Sequence, residues 1–415
     1  MSFNPFEEKP KKVEKTIENW NKLFVKPYDK NTVDPFTKVR IILMNGTEFE
    51  MNWHSHQFAR HCIDNDIRRE IALIRRVEQQ QQKKISSLKP IDEDVLETTI
   101  SYEQLAIELT ANLAQRESDM SVKKALDFAL LEDFDHLYRF SNLLMMEQGI
   151  DAKNLVGGFT EITPGRPTIS EHRHPYDDVR YAGDNKVADS ITRLNVAIIT
   201  AAEQQTMNFY MNVANLYKSE IGRKLFAEIG MIEEQHVSQY ESLMDPTCTW
   251  LVSLLEHEYT ECYLYYSMIN DETDEQIKRI WEVCLEQEIA HLHKANELLT
   301  KYENRDYTTV YKNGGKFPEL LSFGKSNIEY IRKVLKNTVY NTAKKEDYVK
   351  VYSLPQDYEF FKIQNIINKN LAQVPSHKVI EMYIKNNKQD YRFETSLNPV
   401  KDLQNRKEDN TTVGR

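Results

Sequence analysis

With 415 residues, 28% of them charged and 40% hydrophobic, the chain has the make-up of an ordinary globular protein and is too long for one small core. It has no run of 18 apolar residues, so no membrane span is expected, and its first residues, MSFNPFEEKPKKVEK, lack the apolar stretch of a secretory signal. The net charge of −10 divides into −16 for residues 1–302 and +6 beyond, and an acidic body of this kind speaks against nucleic acid as the main partner.

Residues 1–47 read as an irregular arm. The segment VRIILMNGTEFEMN (39–52) places Asn-Gly between strand-like runs and predicts a small hairpin. From 53 to 302 apolar residues recur at three- and four-residue spacing, as in 122–145, 192–217, 221–243, 250–268 and 276–299, so an all-α fold is expected. Glycine and proline collect instead in 149–189, which is long enough to be a crossover between helical units or a functional loop. Beyond 303, where Asn, Lys and Tyr become frequent, short helices and an extended tail are expected, lying on the bundle or on a neighbouring subunit of a homo-oligomer. Cys62, Cys248, Cys262 and Cys284 show no C-x-x-C spacing, which argues against a zinc ribbon or a disulfide framework and fits a reducing cytoplasm.

An internal repeat carries the functional reading. DIRREIALIRRVEQQQ (66–81), SVKKALDFALLEDFDH (121–136), IGRKLFAEIGMIEEQH (221–236) and QIKRIWEVCLEQEIAH (276–291) align without gaps. Each holds an acid (Glu78, Asp133, Glu233, Glu288) followed three residues later by Gln81, His136, His236 or His291. Thirty residues before each acid stands another glutamate: Glu48, Glu103, Glu203 and Glu258. The first-half positions map onto the second half at a constant offset of 155 residues, which reads as a tandem duplication of a four-helix unit. The expected division is an arm (1–47), a degenerate first unit (48–148), a connection (149–189), a second unit (190–302) and a C-terminal extension (303–415).

An acid and a histidine three residues apart project from one helix face. A thirty-residue gap returns the chain to the same height after one helix, a turn and a second helix. Glu203, Glu233, His236, Glu258, Glu288 and His291 are therefore candidate ligands for a pair of metal ions in the second unit. Mixed carboxylate and imidazole donors suit iron, manganese or zinc. In the first unit Glu103, Asp133 and His136 form the best candidate set, whereas Gln81 is a poor ligand and Glu48 falls in strand-like sequence.

The stretches AAEQQTMNFYMN, IEEQH, EHEYTECYLYY and LEQEIAH resemble the ferritin-like superfamily, and particularly its rubrerythrin-like members. The likeness covers about 110 residues well and about 100 more loosely. It implies a four-helix bundle with a di-iron or di-manganese centre, adds Glu261 to the ligands, and implies redox chemistry on peroxide, dioxygen or a small organic substrate. The alternative it leaves open is a non-catalytic iron-binding, storage or structural protein. Because no cysteine-rich rubredoxin module is present, electrons would come from a separate donor. The link from His236 to Glu258 is short for a ferritin-like crossover. A plain up-down bundle, or a pairing of hairpin 101–148 with 190–243 through the long connection, stands beside the favoured unit 190–302.

Other residues are weaker candidates. His172 and His174 of EHRHP, and His54, His56 and His61, could cluster or simply cap turns and helix starts. His257-Glu258-Tyr-Thr-Glu261 lacks the second histidine of a zinc-protease motif. Tyr210 and Tyr263–Tyr266 are candidate electron relays or ordinary core.

Overall fold

Helix starts are written in short polar side chains. Asp34, Asp64, Asp94, Asp119, Ser219, Thr249 and Asp274 each accept a backbone N–H of the first turn, and Asp189 accepts those of Ile191 and Thr192. These caps open eight long helices. They are α1 (Pro35–His61), α2 (Asn65–Ser86), α3 (Val95–Arg116) and α4 (Met120–Gln148) and, after a short α5 (Ala152–Leu155), α6 (Ser190–Leu216), α7 (Glu220–Glu241), α8 (Trp250–Asp271) and α9 (Glu275–Glu303). The computed structural model describes residues 3–167, 170–324, 326–388, 390 and 397–404. Both bounds of α1, α2, α3 and α4 recur 155 residues later in α6, α7, α8 and α9. So do the left-handed residues that end α4 and α9, Gly149 and Asn304.

After α9 come α10 (Tyr307–Val310), α11 (Ile328–Thr338), an antiparallel pair β1 (Asn341–Lys344) and β2 (Asp347–Lys350), α12 (Glu359–Ile367) and α13 (Pro375–Asn387). The protein is thus all-α, apart from this one two-stranded pair among the described residues. The outermost part of the expected tail, 405–415, lies outside the described residues. No helix among those described is long and apolar enough to cross a membrane.

The hairpin expected at 39–52 is instead the interior of α1. Asp34 caps Phe36 N–H at 3.0 Å and Pro35 occupies the first helical position, so the chain is committed to a helix before Asn45-Gly46 is reached. Gly46 serves close packing rather than a turn. A Cβ there would lie 2.9 Å from Gln205 Cβ and 3.3 Å from the Ala201 carbonyl oxygen of α6. The irregular arm therefore ends at Asp34 and not at residue 47.

The chain forms two compact units, and they are not the expected 48–148 and 190–302. Unit 1 comprises 1–92, 183–205 and 244–324; unit 2 comprises 93–182, 206–243 and 325–415. In unit 1 the hairpins α1–α2 and α8–α9 pack with α1 on α8 and α2 on α9, around Val39, Leu43, Ile74, Leu254, Leu255 and Trp281. In unit 2 the hairpin α3–α4 packs with α4 on α7, and Phe209 of α6 stacks on Tyr102 of α3 at 4.4 Å. Leu130, Leu137, Phe140, Tyr210, Phe226 and Ile229 fill that core. Within the same unit α11 lies on α3 and α4, and α13 on α4 and α7, so this part of the C-terminal extension packs on the helices.

Candidate metal centres

In unit 1 the four packed helices turn their acids inward at one level. Glu48 comes from α1, Glu78 and Gln81 from α2, Glu258 and Glu261 from α8, and Glu288 and His291 from α9, all of them buried. Two groups have ligand atoms within 4.8 Å of one another: Glu78, Glu258, Glu288 and His291; and Glu48, Glu78 and Glu261. Glu78 belongs to both. His291 Nδ1 lies 2.7 Å from Glu78, 3.3 Å from Glu288 and 3.7 Å from Glu258. The Gln81 amide donates to Glu288 and the Tyr265 hydroxyl donates to Glu48. Among the described residues, neither oxygen of Glu258 and neither oxygen of Glu261 accepts a hydrogen bond.

Burial pushes Glu48, Glu258 and Glu261 well above the ordinary carboxylate range, and repulsion from Glu78 adds to it in each case. Burial opposes charge on His291, yet Glu288 and Glu78 hold its pKa well above the usual value. Five carboxyls sharing one dry volume with one imidazole are costly unless cations join them.

Unit 2 solves the same problem differently. Glu103 of α3, Asp133 and His136 of α4, and Glu233 and His236 of α7 are all buried. Asp133, Glu233 and His236 bring ligand atoms within 4.8 Å of one another, as do Glu103, His136 and Glu233, so Glu233 is shared. His136 Nδ1 lies 2.9 Å from one Glu233 oxygen and His236 Nδ1 3.2 Å from the other; His236 Nδ1 is also 3.2 Å from Asp133. Burial alone would raise Glu233, but these two imidazoles hold it down at about 2. The Tyr210 hydroxyl donates to Glu103.

Both outer histidine nitrogens face further acids. His236 Nε2 lies 2.8 Å from Glu132, and His136 Nε2 lies 3.6 Å from Glu171. Glu132 receives Arg166 at 3.0 Å and Arg173 at 2.5 Å; Glu171 receives Arg139 at 2.9 Å. Against the effect of burial, Arg173 first and His236 next keep Glu132 far below the ordinary range. A carboxylate behind a ligating imidazole fixes the ring and raises its donor strength. The 149–189 connection therefore contributes through Glu171, Arg166 and Arg173 rather than through its histidines. His172 is buried and lowered to about 4 by that burial and by Arg139 and Arg173, while His174 caps the turn at Pro175–Asp177.

The expected six-ligand set is not assembled as one site. Glu258, Glu261, Glu288 and His291 belong to unit 1, whereas Glu233 and His236 belong to unit 2 with Glu103, Asp133 and His136. Glu203 is buried on α6, three residues before Thr206, where unit 2 takes over that helix. A repeat period fixes which positions are equivalent but not which hairpins face each other. The short Ser242–Thr249 link carries the chain from α7 in unit 2 to α8 in unit 1.

The remaining histidine candidates do not converge. His54 stacks on His257 at 4.1 Å, His56 is exposed, and His61 stacks on Trp250 at 5.4 Å. Tyr263 bonds the Glu319 carbonyl at 2.7 Å. Sequence reasoning missed the supporting acids and arginines. A signal was present in LLEDFDHL, where three acids interrupt an apolar run that must be buried.

Compared with known proteins, the chain matches no family model, no curated protein and no solved structure.

Proposed function

We propose that this protein is a di-metal carboxylate oxidoreductase of ferritin-like type, made by tandem duplication of a four-helix unit. It would hold iron or manganese between buried acids and imidazoles in both units. Three features support this reading. The repeated ligand positions lie at the 155-residue offset that also relates the helix bounds. Each cluster consists of two overlapping groups that share one glutamate, as a pair of ions with a bridging carboxylate requires. The observation that carries most weight is the burial of Glu258 and Glu261 with no hydrogen bond to any of their four oxygens among the described residues, a cost that bound cations would relieve.

Bound between these acids and imidazoles, such ions would supply redox chemistry toward peroxide or dioxygen, with a separate donor as the source of electrons. The chain's own residues do the positioning. Glu78 and Glu233 stand centrally between the two halves of their clusters. Gln81 orients Glu288, and the tyrosines Tyr265 and Tyr210 orient Glu48 and Glu103. Glu132 and Glu171 hold the outer sides of the unit 2 imidazoles.

Metal analysis of anaerobically prepared protein tests the reading, compared with Glu78→Ala and with the double variant Glu233→Ala, His236→Ala. Each is expected to lose the ions of its own cluster and keep those of the other. A reductant-dependent consumption of peroxide or dioxygen should fall with metal content. Wild-type protein that takes up neither iron nor manganese would refute it.

A further inference from the structure

The two clusters occupy equivalent positions in the repeat, yet their donors differ at three of them. Where unit 2 has His236, unit 1 has Gln81; where unit 2 has Ala106, unit 1 has Glu261; where unit 2 has Asp133, unit 1 has Glu288. The repeat positions of the unit 1 cluster therefore carry five carboxylates and one imidazole, against four carboxylates and two imidazoles at the equivalent positions. The amide of Gln81 is directed to Glu288 and does not replace the missing ring.

We infer that the two centres take different metals: the unit 1 centre is an oxygen-donor site for manganese(II), and the unit 2 centre is the iron site. This rests on the metal-binding reading above. Carboxylate oxygens suit hard ions such as manganese(II), whereas imidazole nitrogen favours iron. The second position of unit 1, made by Glu48, Glu78 and Glu261, has oxygen donors alone. Glu261 is the residue that sets this apart. It is buried, neither of its oxygens accepts a hydrogen bond among the described residues, and unit 2 has Ala106, not an acid, at the equivalent place. In unit 2 the His236 imidazole is further strengthened as a donor by Glu132 bonded behind it. His291 in unit 1 has no bonded acid like Glu132; its Nε2, like that of His136, bonds to nothing among the described residues, though His136 has Glu171 within 3.6 Å. Iron binds more tightly than manganese at any one site of these donors, so discrimination appears as a difference in manganese-to-iron ratio between the centres.

The test is anaerobic loading of the full chain with equal concentrations of manganese(II) and iron(II), followed by metal analysis and manganese electron paramagnetic resonance. Wild type is expected to hold both metals. Glu261→Ala, which copies the unit 2 residue, should lower manganese and leave iron in place. Gln81→His should raise iron at the expense of manganese, and it serves as the second variant if loss of Glu261 prevents folding. His236→Ala should lower iron and leave manganese. If all three variants bind metal with the wild-type ratio, the inference is overturned and the metal-binding reading survives. Absence of both metals from wild type overturns the two together.

Discussion

Units 1 and 2 carry buried ionisable clusters at equivalent positions of one repeat, but they neutralise them by different means. Unit 2 spends protein charge: Glu233 sits between His136 and His236, and Glu132 and Glu171 are met by Arg166, Arg173 and Arg139. Unit 1 has no arginine in its cluster, and its acids are relieved by one imidazole, one amide and one tyrosine hydroxyl. The contrast shows in the carboxyls themselves. Glu48, Glu258 and Glu261 are driven up by burial, as are Glu103 and Asp133 in unit 2, but only unit 2 has members, Glu233 and Glu132, held down by cationic neighbours in spite of it. One backbone register can thus support a cluster with more protein cations and a cluster with fewer.

The largest expected effect tests the protein cations of unit 2. Arg173→Ala removes a cation from Glu132 and from Asp178, both buried, and should destabilise unit 2 by about 3–5 kcal/mol. Amide hydrogen exchange should show α4 and α7 losing protection while α8 and α9 keep theirs; equal loss in all four would break the comparison.

Next comes pH. Glu48, Glu258 and Glu261 have raised pKa values, so their contribution to stability is fully present below the ordinary 4.5 and is lost as pH rises through the raised values. Each unit of upward shift costs about 1.4 kcal/mol once the group must ionise. Glu233 runs the other way: held at about 2, it contributes above 4.5 and ceases to do so as pH falls through about 2. Metal-free protein should therefore lose protection in α8 and α9 more than in α4 and α7 as pH rises above 4.5, since unit 2 has fewer raised carboxyls, Glu103 and Asp133, and they share their cluster with the lowered Glu233. Manganese(II) should restore it, and Glu261→Gln should weaken the pH dependence. A metal-free unit 1 indifferent to pH over this range would contradict the account.

The smallest effect sharpens the comparison outside the clusters. Asp274→Ala and Asp119→Ala remove equivalent caps of α9 and α4, and each should cost about 1 kcal/mol in urea unfolding. Unequal losses would mean that the units differ in scaffold as well as in site.

Much of this was legible in the sequence. The repeat marked Glu78, Asp133, Glu233 and Glu288, with their partners three residues on, because helical periodicity makes same-face residues visible along one chain. The choice among hairpin partnerings was not legible, and the pairing of 101–148 with 190–243 stood only as an alternative, since α1–α2 meets α8–α9 only through packing between residues some 200 positions apart, as in Gln81 donating to Glu288. Asn45-Gly46 misled because a turn-forming dipeptide can equally mark a close helix crossing, and only the Gln205 contact distinguishes the two. Arg166, Glu171 and Arg173 were hidden because an irregular loop has no period from which to read a buried face.

Anomalous X-ray scattering at the manganese and iron edges, from crystals of protein loaded with both metals, tests the central claim most directly. The account predicts paired peaks beside Glu78 in unit 1, with manganese present there, and iron peaks beside Glu233 in unit 2. Featureless density at both glutamates, with the crystals nonetheless soaked in both metals, would contradict it.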